Sequence, residues 1–106
     1  MPKKSLDKKE NVGLMDKQKQ KMEPPRKFKV IFHNDDHTPM DLVVELLEDI
    51  FFKSNVEATA IMLNVHNRGK GVAGVYSREI AETKSFQANE TARGQGYPLL
   101  TDIEPE

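Results

Sequence analysis

With 106 residues, the chain is long enough for one domain and too short for two separate hydrophobic cores. It contains no cysteine, which excludes a disulfide framework, a thiolate zinc site and a cysteine nucleophile. The net charge of -1 hides an asymmetry, because residues 1–27 hold nine Lys and Arg against four Asp and Glu, and residues 28–106 hold seven against 13. The acidic part should repel nucleic acid phosphates.

The first 25 residues are rich in Lys, Gln, Asp and Glu and end at Pro24-Pro25. This composition cannot offset the entropy lost on ordering, so it predicts a flexible N-terminal extension in front of a folded core domain at 26–106. The extension is either a tail that contacts nucleic acid or a partner, or a solubilising leader, and both interpretations stay open. No apolar run approaches the roughly 20 residues that span a bilayer, and no signal peptide is visible, so we expect a cytoplasmic protein without a membrane partner.

The folded part begins with a predicted strand, Phe28-Lys29-Val30-Ile31-Phe32, rich in β-branched and aromatic residues. The strand stops at the turn-forming cluster Asn34-Asp35-Asp36. Thr38 is the predicted N-cap of a first helix, with Pro39 at the first helical position and Asp41 in a capping-box-like position three residues after Thr38. The apolar residues that follow give this helix one broad apolar face; they are Leu42, Val43, Leu46, Leu47 and Ile50.

Ser54 and Glu57 form a second capping-box pattern, which predicts a helix that ends near Gly69. Residues 71–76 predict a second strand, whose glycines permit close approach of a neighbouring backbone. Ser77 is the next N-cap candidate, for a helix over 78–93 with a thin face of small residues, and 98–103 predict the last strand. The order is β-α-α-β-α-β, which predicts an α+β fold: a single α/β sandwich with a roughly three-stranded antiparallel sheet packed against helices.

The segment His33-Asn34-Asp35-Asp36-His37 concentrates polar groups between a strand and a helix, where loops commonly carry function. It could bind a metal, but adjacent residues on one turn cannot all reach one ion, and no recognised metal-binding spacing is present. It could hold a general acid and base, but no nucleophile accompanies the two aspartates. It could also be an ordinary turn and helix cap that satisfies local backbone groups.

A further observation favours a binding site. Met62, Val65 and His66 lie at i, i+3 and i+4, so they share one face of the second helix. That face can oppose Met40 and Val43 of the preceding helix. The result would be an apolar pocket with a polar rim, suited to an apolar side chain attached to an ammonium group, which offers three donors to Asn, His and carboxylate acceptors.

Four segments carry a resemblance to a known family: Lys-Val-Ile-Phe-His-Asn-Asp-Asp-His-Thr-Pro-Met at 29–40, Ala-Ile-Met-Leu-Asn-Val-His at 60–66, Ala-Glu-Thr-Lys at 81–84 and Tyr-Pro-Leu at 97–99. Over residues 26 to 104 the chain closely resembles ClpS, the N-end rule adaptor of the bacterial ClpAP protease. The resemblance implies an adaptor that is not an enzyme and needs neither a catalytic residue nor a cofactor or metal. Such an adaptor binds substrate proteins by an N-terminal Leu, Phe, Tyr or Trp and delivers them to the ClpA unfoldase.

The resemblance also implies roles for individual residues. The groups that hold the α-amino group would be Asn34 and His66, with Asp35 and Asp36 adding charge or water-mediated contacts. The side-chain pocket would be lined by Phe32, Thr38, Met40, Val43, Met62, Val65 and Leu99, with Met40 disfavouring β-branched residues. Glu79 and Lys84 match positions that dock the N-terminal domain of the unfoldase, although the pattern alone would make them a solvated helix face. His33 and His37 match no pocket position.

Two other hypotheses remain beside this one. The basic extension could make the chain a ribosome- or RNA-associated module, and the segment from His33 to His37 could make it a metal-dependent hydrolase. We expect a monomer.

Overall fold

The computed structural model describes residues 24–106. The predicted N-terminal extension, residues 1–25, lies outside this range apart from its last two residues. The described elements follow in the order β1 (Lys27–His33), α1 (Met40–Asp49), α2 (Asn55–Arg68), β2 (Lys70–Ser77), α3 (Arg78–Gly94) and β3 (Leu100–Pro105). The predicted β-α-α-β-α-β order and the α+β class are confirmed. No helix within residues 24–106 is long and apolar enough to cross a membrane.

The three described strands form one antiparallel sheet in the order β2-β1-β3, so β1 is its central strand. The register between β1 and β2 shifts between Val30 and Ile31, which marks a β-bulge. The last strand starts two residues later than predicted. Pairing with β1 begins where Leu100 lies opposite His33 and continues to Pro105, whereas Pro98 lies in the irregular segment that precedes the strand.

The core lies between one face of the sheet and the helices. Val30 and Phe32 of β1 point into it and are fully buried, because alternate residues of a strand face the same side. Phe32 contacts the ring of Phe51 edge to face, with 5.4 Å between centroids. The small-residue face predicted for α3 is confirmed, since its four members are all buried; they are Ala81, Ser85, Ala88 and Ala92.

A polar contact fixes α3 to the edge strand β3. The Asn89 side chain accepts a 2.7 Å hydrogen bond from the backbone amide of Thr101 and donates one of 3.1 Å to its carbonyl. The Thr101 hydroxyl lies 2.6 Å from that of Ser85, and both side chains are buried. These bonds satisfy backbone groups of an edge strand that would otherwise lack partners.

Two of the three predicted helix starts are confirmed. Ser54 and Glu57 form a complete capping box on α2, and the Ser77 side chain accepts from the Ile80 amide at the start of α3. Gly69 ends α2 with a φ of 90°, a left-handed conformation that favours glycine.

The predicted cap of α1 is wrong. The N-cap is Pro39, and no side chain caps the helix. The Thr38 hydroxyl donates instead to Oδ2 of Asp35 at 2.8 Å. The hydroxyl therefore serves the loop before the helix as a donor, and its oxygen accepts no hydrogen bond from the amides of α1.

Candidate functional site

The candidate site is a surface cavity of about 350 Å³ at the end of β1. One wall is the loop that joins β1 to α1, and another is formed by His66 from the last turn of α2. The structure therefore brings together six of the predicted site residues, five from positions 34–40 and one from the next helix. They are Asn34, Asp35, Asp36, Thr38, Met40 and His66.

Asp35 organises the loop. Its Oδ1 accepts hydrogen bonds from the backbone amides of His37, at 2.8 Å, and Thr38, at 2.7 Å, while its Oδ2 accepts from the Thr38 hydroxyl. Partial burial acts to raise the pKa of Asp35, but these three hydrogen bonds and the nearby His37 together outweigh it, so the pKa lies below its ordinary value of 3.8. The carboxylate is therefore ionised at neutral pH and committed to the shape of the loop.

Unlike the side chain of Asp35, those of Asp36 and Asn34 are not used in holding the loop. Both side chains are exposed, and neither forms a hydrogen bond with another residue in the range 24–106. The backbone amide of Asn34 donates to the carbonyl of Gly69 at 2.9 Å, which ties the start of the loop to the end of α2. The amide oxygen of Asn34 and the carboxylate of Asp36 are thus acceptors that remain for a ligand.

The position of His66 depends on close packing between α2 and β2. Its neighbour Val65 is buried, and a Cβ added at Gly71 of β2 would lie 3.0 Å from Cγ2 of Val65 and 3.5 Å from the carbonyl oxygen of Ile61. A side chain at this position would press on Val65, so glycine favours the close approach. The His66 side chain is exposed, so its ring is available to a ligand in the cavity.

The predicted side-chain pocket is divided between the cavity and the core. Met40 lines the cavity and is 43% exposed, and Thr38 lines it half-buried. Met62 is half-buried against the core. The four other predicted residues are at most 6% exposed and belong to the core cluster; they are Phe32, Val43, Val65 and Leu99.

Two further cavity residues had been assigned no contact with a ligand. His37 and Pro39 line the cavity with the rest of the loop, and their place inside the loop is the signal that could have identified them. His33 does not join them. Its Nε2 lies 3.1 Å from Oδ2 of Asp102 on β3.

The two predicted docking residues lie on α3. Glu79 is exposed in the first turn, and its carbonyl accepts from the Thr83 hydroxyl at 3.0 Å. Lys84 is half-buried: its Nζ donates to the carbonyl of Ile50 at 2.6 Å and lies 4.8 Å from the ring centroid of Phe52. The interpretation of Lys84 as part of a solvated face is therefore wrong, because its side chain joins α3 to the end of α1.

Phe51 and Tyr76 complete the aromatic surroundings of this ammonium group, at 5.8 and 5.4 Å. Such distances are typical of cation–π contacts. Burial raises the pKa of the Tyr76 phenol above its ordinary value of 10.0, so the ring stays neutral beside the lysine.

The chemistry of the cavity suits a cation. Carboxylate, amide and imidazole acceptors meet there, and an ammonium group needs three acceptors. Within residues 24–106, no group of three or more His, Asp and Glu side chains is arranged to hold a metal ion.

Comparison with known proteins gives consistent matches. The family model described as ATP-dependent Clp protease adaptor protein ClpS matches residues 23–102. The ATP-dependent Clp protease adapter protein ClpS of Desulfatibacillum aliphaticivorans is 58% identical over 87 residues, which are 82% of this chain and 84% of that protein. The protein of the same name from Oleidesulfovibrio alaskensis is 49% identical over 85 residues, or 80% of this chain and 82% of the relative.

A solved structure is also similar. It is the structure of Agrobacterium tumefaciens ClpS2 bound to L-phenylalaninamide, which matches with a TM-score of 0.76 and 36% sequence identity. The match covers 78% of this chain and 100% of that chain.

Proposed function

The chain belongs to the ClpS family of ATP-dependent Clp protease adaptors, and on that premise we propose that it recognises substrate proteins by an N-terminal Leu, Phe, Tyr or Trp. It is an adaptor and not an enzyme, so the hypothesis of a metal-dependent hydrolase is wrong. In the proposed function it delivers its substrates in the cytoplasm to the ClpA unfoldase of the ClpAP protease.

The observation that carries the proposal is the cavity in which loop acceptors from one part of the chain face His66 from another. The α-amino group of the substrate binds to the amide oxygen of Asn34 and a neutral imidazole nitrogen of His66. Asp36 supplies the third acceptor, directly or through water. Asp35 contributes its negative charge at a distance, because its own oxygens already accept three hydrogen bonds.

The relative that was solved with L-phenylalaninamide supports this assignment. That ligand carries a free α-amino group and an aromatic side chain, and it has no carboxylate to bring a negative charge beside the aspartates. The same chemistry describes the N-terminus of a protein that begins with Phe.

The side chain of the N-terminal residue enters beside Met40 and Thr38. Met62 forms the next part of the wall, and the buried residues Phe32, Val43, Val65 and Leu99 form the deep end of the pocket. In this structure these four residues belong to the core cluster, and Met40 is the residue that disfavours β-branched side chains.

The remaining assignments concern delivery. Residues 26–106 are the adaptor core domain, and residues 1–25 are the extension that engages the unfoldase. Glu79 presents its exposed carboxylate to the N-terminal domain of the unfoldase, and Lys84 shapes the neighbouring surface. The adaptor acts as a monomer. The alternative of an RNA-associated module rests on the extension, and no contact within residues 24–106 favours it.

The test is a titration with a peptide that begins with Leu and with its N-acetylated twin. The free peptide should bind and the acetylated one should not, because acetylation removes the positive charge and two of the three donors. A His66→Ala variant should weaken binding of the free peptide. Equal affinity for the two peptides would refute recognition of the amine.

A further inference from the structure

A second depression adjoins the proposed amine-binding cavity. It has a volume of about 690 Å³ and is lined by His37, Arg93, Gly96, Tyr97 and Pro98. His37 also lines the first cavity, so the two depressions share this residue. One wall therefore comes from the loop after β1, and the opposite wall from the turn between α3 and β3.

The turn that forms the opposite wall is held by its own backbone. The Tyr97 amide donates to the Ala92 carbonyl at 2.9 Å, and the Gly96 amide donates to that of Arg93 at the same distance. Gly96 has a φ of 87°, in the left-handed region that favours glycine. Tyr97 is half-buried against the core, so the ring has a fixed position before any ligand binds.

The depression is suited to an apolar or aromatic side chain. Tyr97 and Pro98 offer ring surfaces, and His37 adds a third planar group. Arg93 makes no ion pair with another residue in the range 24–106, so its guanidinium group is available to lie over an aromatic ring. An acidic side chain could pair with Arg93, but the nearby carboxylates of Asp35 and Asp36 would repel it.

The residue shared by the two depressions connects the first site with the next residue of a bound chain. Consecutive Cα atoms are about 3.8 Å apart, so the second residue of a substrate whose amino group lies in the first cavity is within reach of His37, which lines both depressions. We propose that this second depression receives the side chain of the substrate's second residue and favours a large apolar or aromatic one. The inference rests on the proposed function and adds a second specificity position to it.

The experiment compares two peptides that begin with Leu and differ only at the second position, Phe in one and Ala in the other. The protein should bind the Phe peptide more tightly by roughly three- to tenfold, as expected for partial burial of one aromatic side chain. The Arg93→Ala and Pro98→Ala variants should each reduce the ratio of the two affinities. Taking the ratio within each variant removes any general effect of the substitution.

A matched control is Arg78→Ala, which removes an exposed arginine from the other end of α3, where it pairs with Glu82. That variant should keep the ratio of the parent protein. Equal affinities for the two peptides in the parent protein would overturn the second subsite while leaving amine recognition intact. A preference that survives both Arg93→Ala and Pro98→Ala would also overturn it, since the depression would not be its source. Failure to bind either peptide would instead refute the proposed function.

Discussion

The Thr38 hydroxyl donates a 2.8 Å hydrogen bond to Oδ2 of Asp35, and two backbone amides donate to the other oxygen of the same carboxylate. Asp36, the next residue, makes no such contact with a residue in the range 24–106 and is exposed. The two adjacent aspartates therefore have different roles. Asp35 holds the loop in its conformation, and the Asp36 carboxylate is an exposed charge at the cavity.

This difference predicts unequal effects of substitution. Asp35→Ala removes three acceptor contacts and should loosen the loop, with a cost of about 1–3 kcal/mol to peptide affinity. Asp36→Ala is the matched control and should weaken binding less, with an effect that shrinks as salt is added. Isothermal titration with a Leu peptide at two salt concentrations measures the loss of affinity in each variant and its dependence on salt. A larger loss for Asp36→Ala would contradict the role given to Asp35.

The second prediction concerns pH. The pKa of Asp35 is lowered in the folded protein, so its stabilising contacts are complete above its ordinary value of 3.8 and are lost only as pH falls through the lower folded value. Asp35 thus stays ionised between pH 7 and 5.5, and the peptide amine is already charged there. Affinity should nevertheless fall over this range, because a protonated imidazole cannot accept from an ammonium group and His66 is the proposed acceptor.

The control for the pH experiment is His66→Gln, whose amide oxygen accepts at every pH. This variant should show a nearly flat response between pH 7 and 5.5. A flat response of the parent protein would argue against His66 as an acceptor.

The third prediction tests the packing that places His66. Gly71→Ala should lower the free energy of unfolding by about 1–3 kcal/mol, because its Cβ would press on buried Val65. Gly94→Ala is the control, since a Cβ there meets nothing within 4 Å, and it should be neutral or stabilising by up to about 1 kcal/mol. Urea unfolding compares the two variants. Equal free energies of unfolding for the two variants would mean that α2 can move away from β2 without loss of stability.

The fourth prediction separates structure from docking at α3. Lys84→Met removes a charged donor from the Ile50 carbonyl and the contacts with three rings, and it should lower stability by about 1–3 kcal/mol. Glu79→Gln lies on an exposed surface and should change stability by less than about 0.5 kcal/mol. If Glu79 docks the unfoldase, Glu79→Gln should still weaken that binding. If only Lys84→Met weakened binding to the unfoldase, the cause would be distortion of the α3 surface and not loss of a docking contact at Glu79.

The fifth prediction concerns Met40, which is 43% exposed in the cavity. Met40→Ala should enlarge the pocket and relax the rejection of N-terminal Ile and Val relative to Leu, by about 1–3 kcal/mol at most. The measurement is the ratio of affinities for Leu and Ile peptides in each protein. An unchanged ratio would mean that Met40 does not set this specificity.

The sequence by itself determined the element order, the α+β class, two helix caps and the resemblance to ClpS. These features depend on contacts within a few residues or on hydrophobic periodicity, as in the capping box of Ser54 and Glu57 and the small-residue face of α3. Such local patterns can be predicted from the sequence because residues that are close along the chain remain close in the fold.

Only the tertiary structure decided the other features. The Thr38 side chain had two possible roles, as an acceptor for the amides of α1 and as a donor to the carboxylate of Asp35, and only the second is present. Lys84 and the Ile50 carbonyl are 34 positions apart, so no local pattern could reveal their hydrogen bond. The same holds for the cavity: His66 faces the loop because Gly71 lets α2 pack closely on β2, and packing between distant segments has no signature in the sequence of either one.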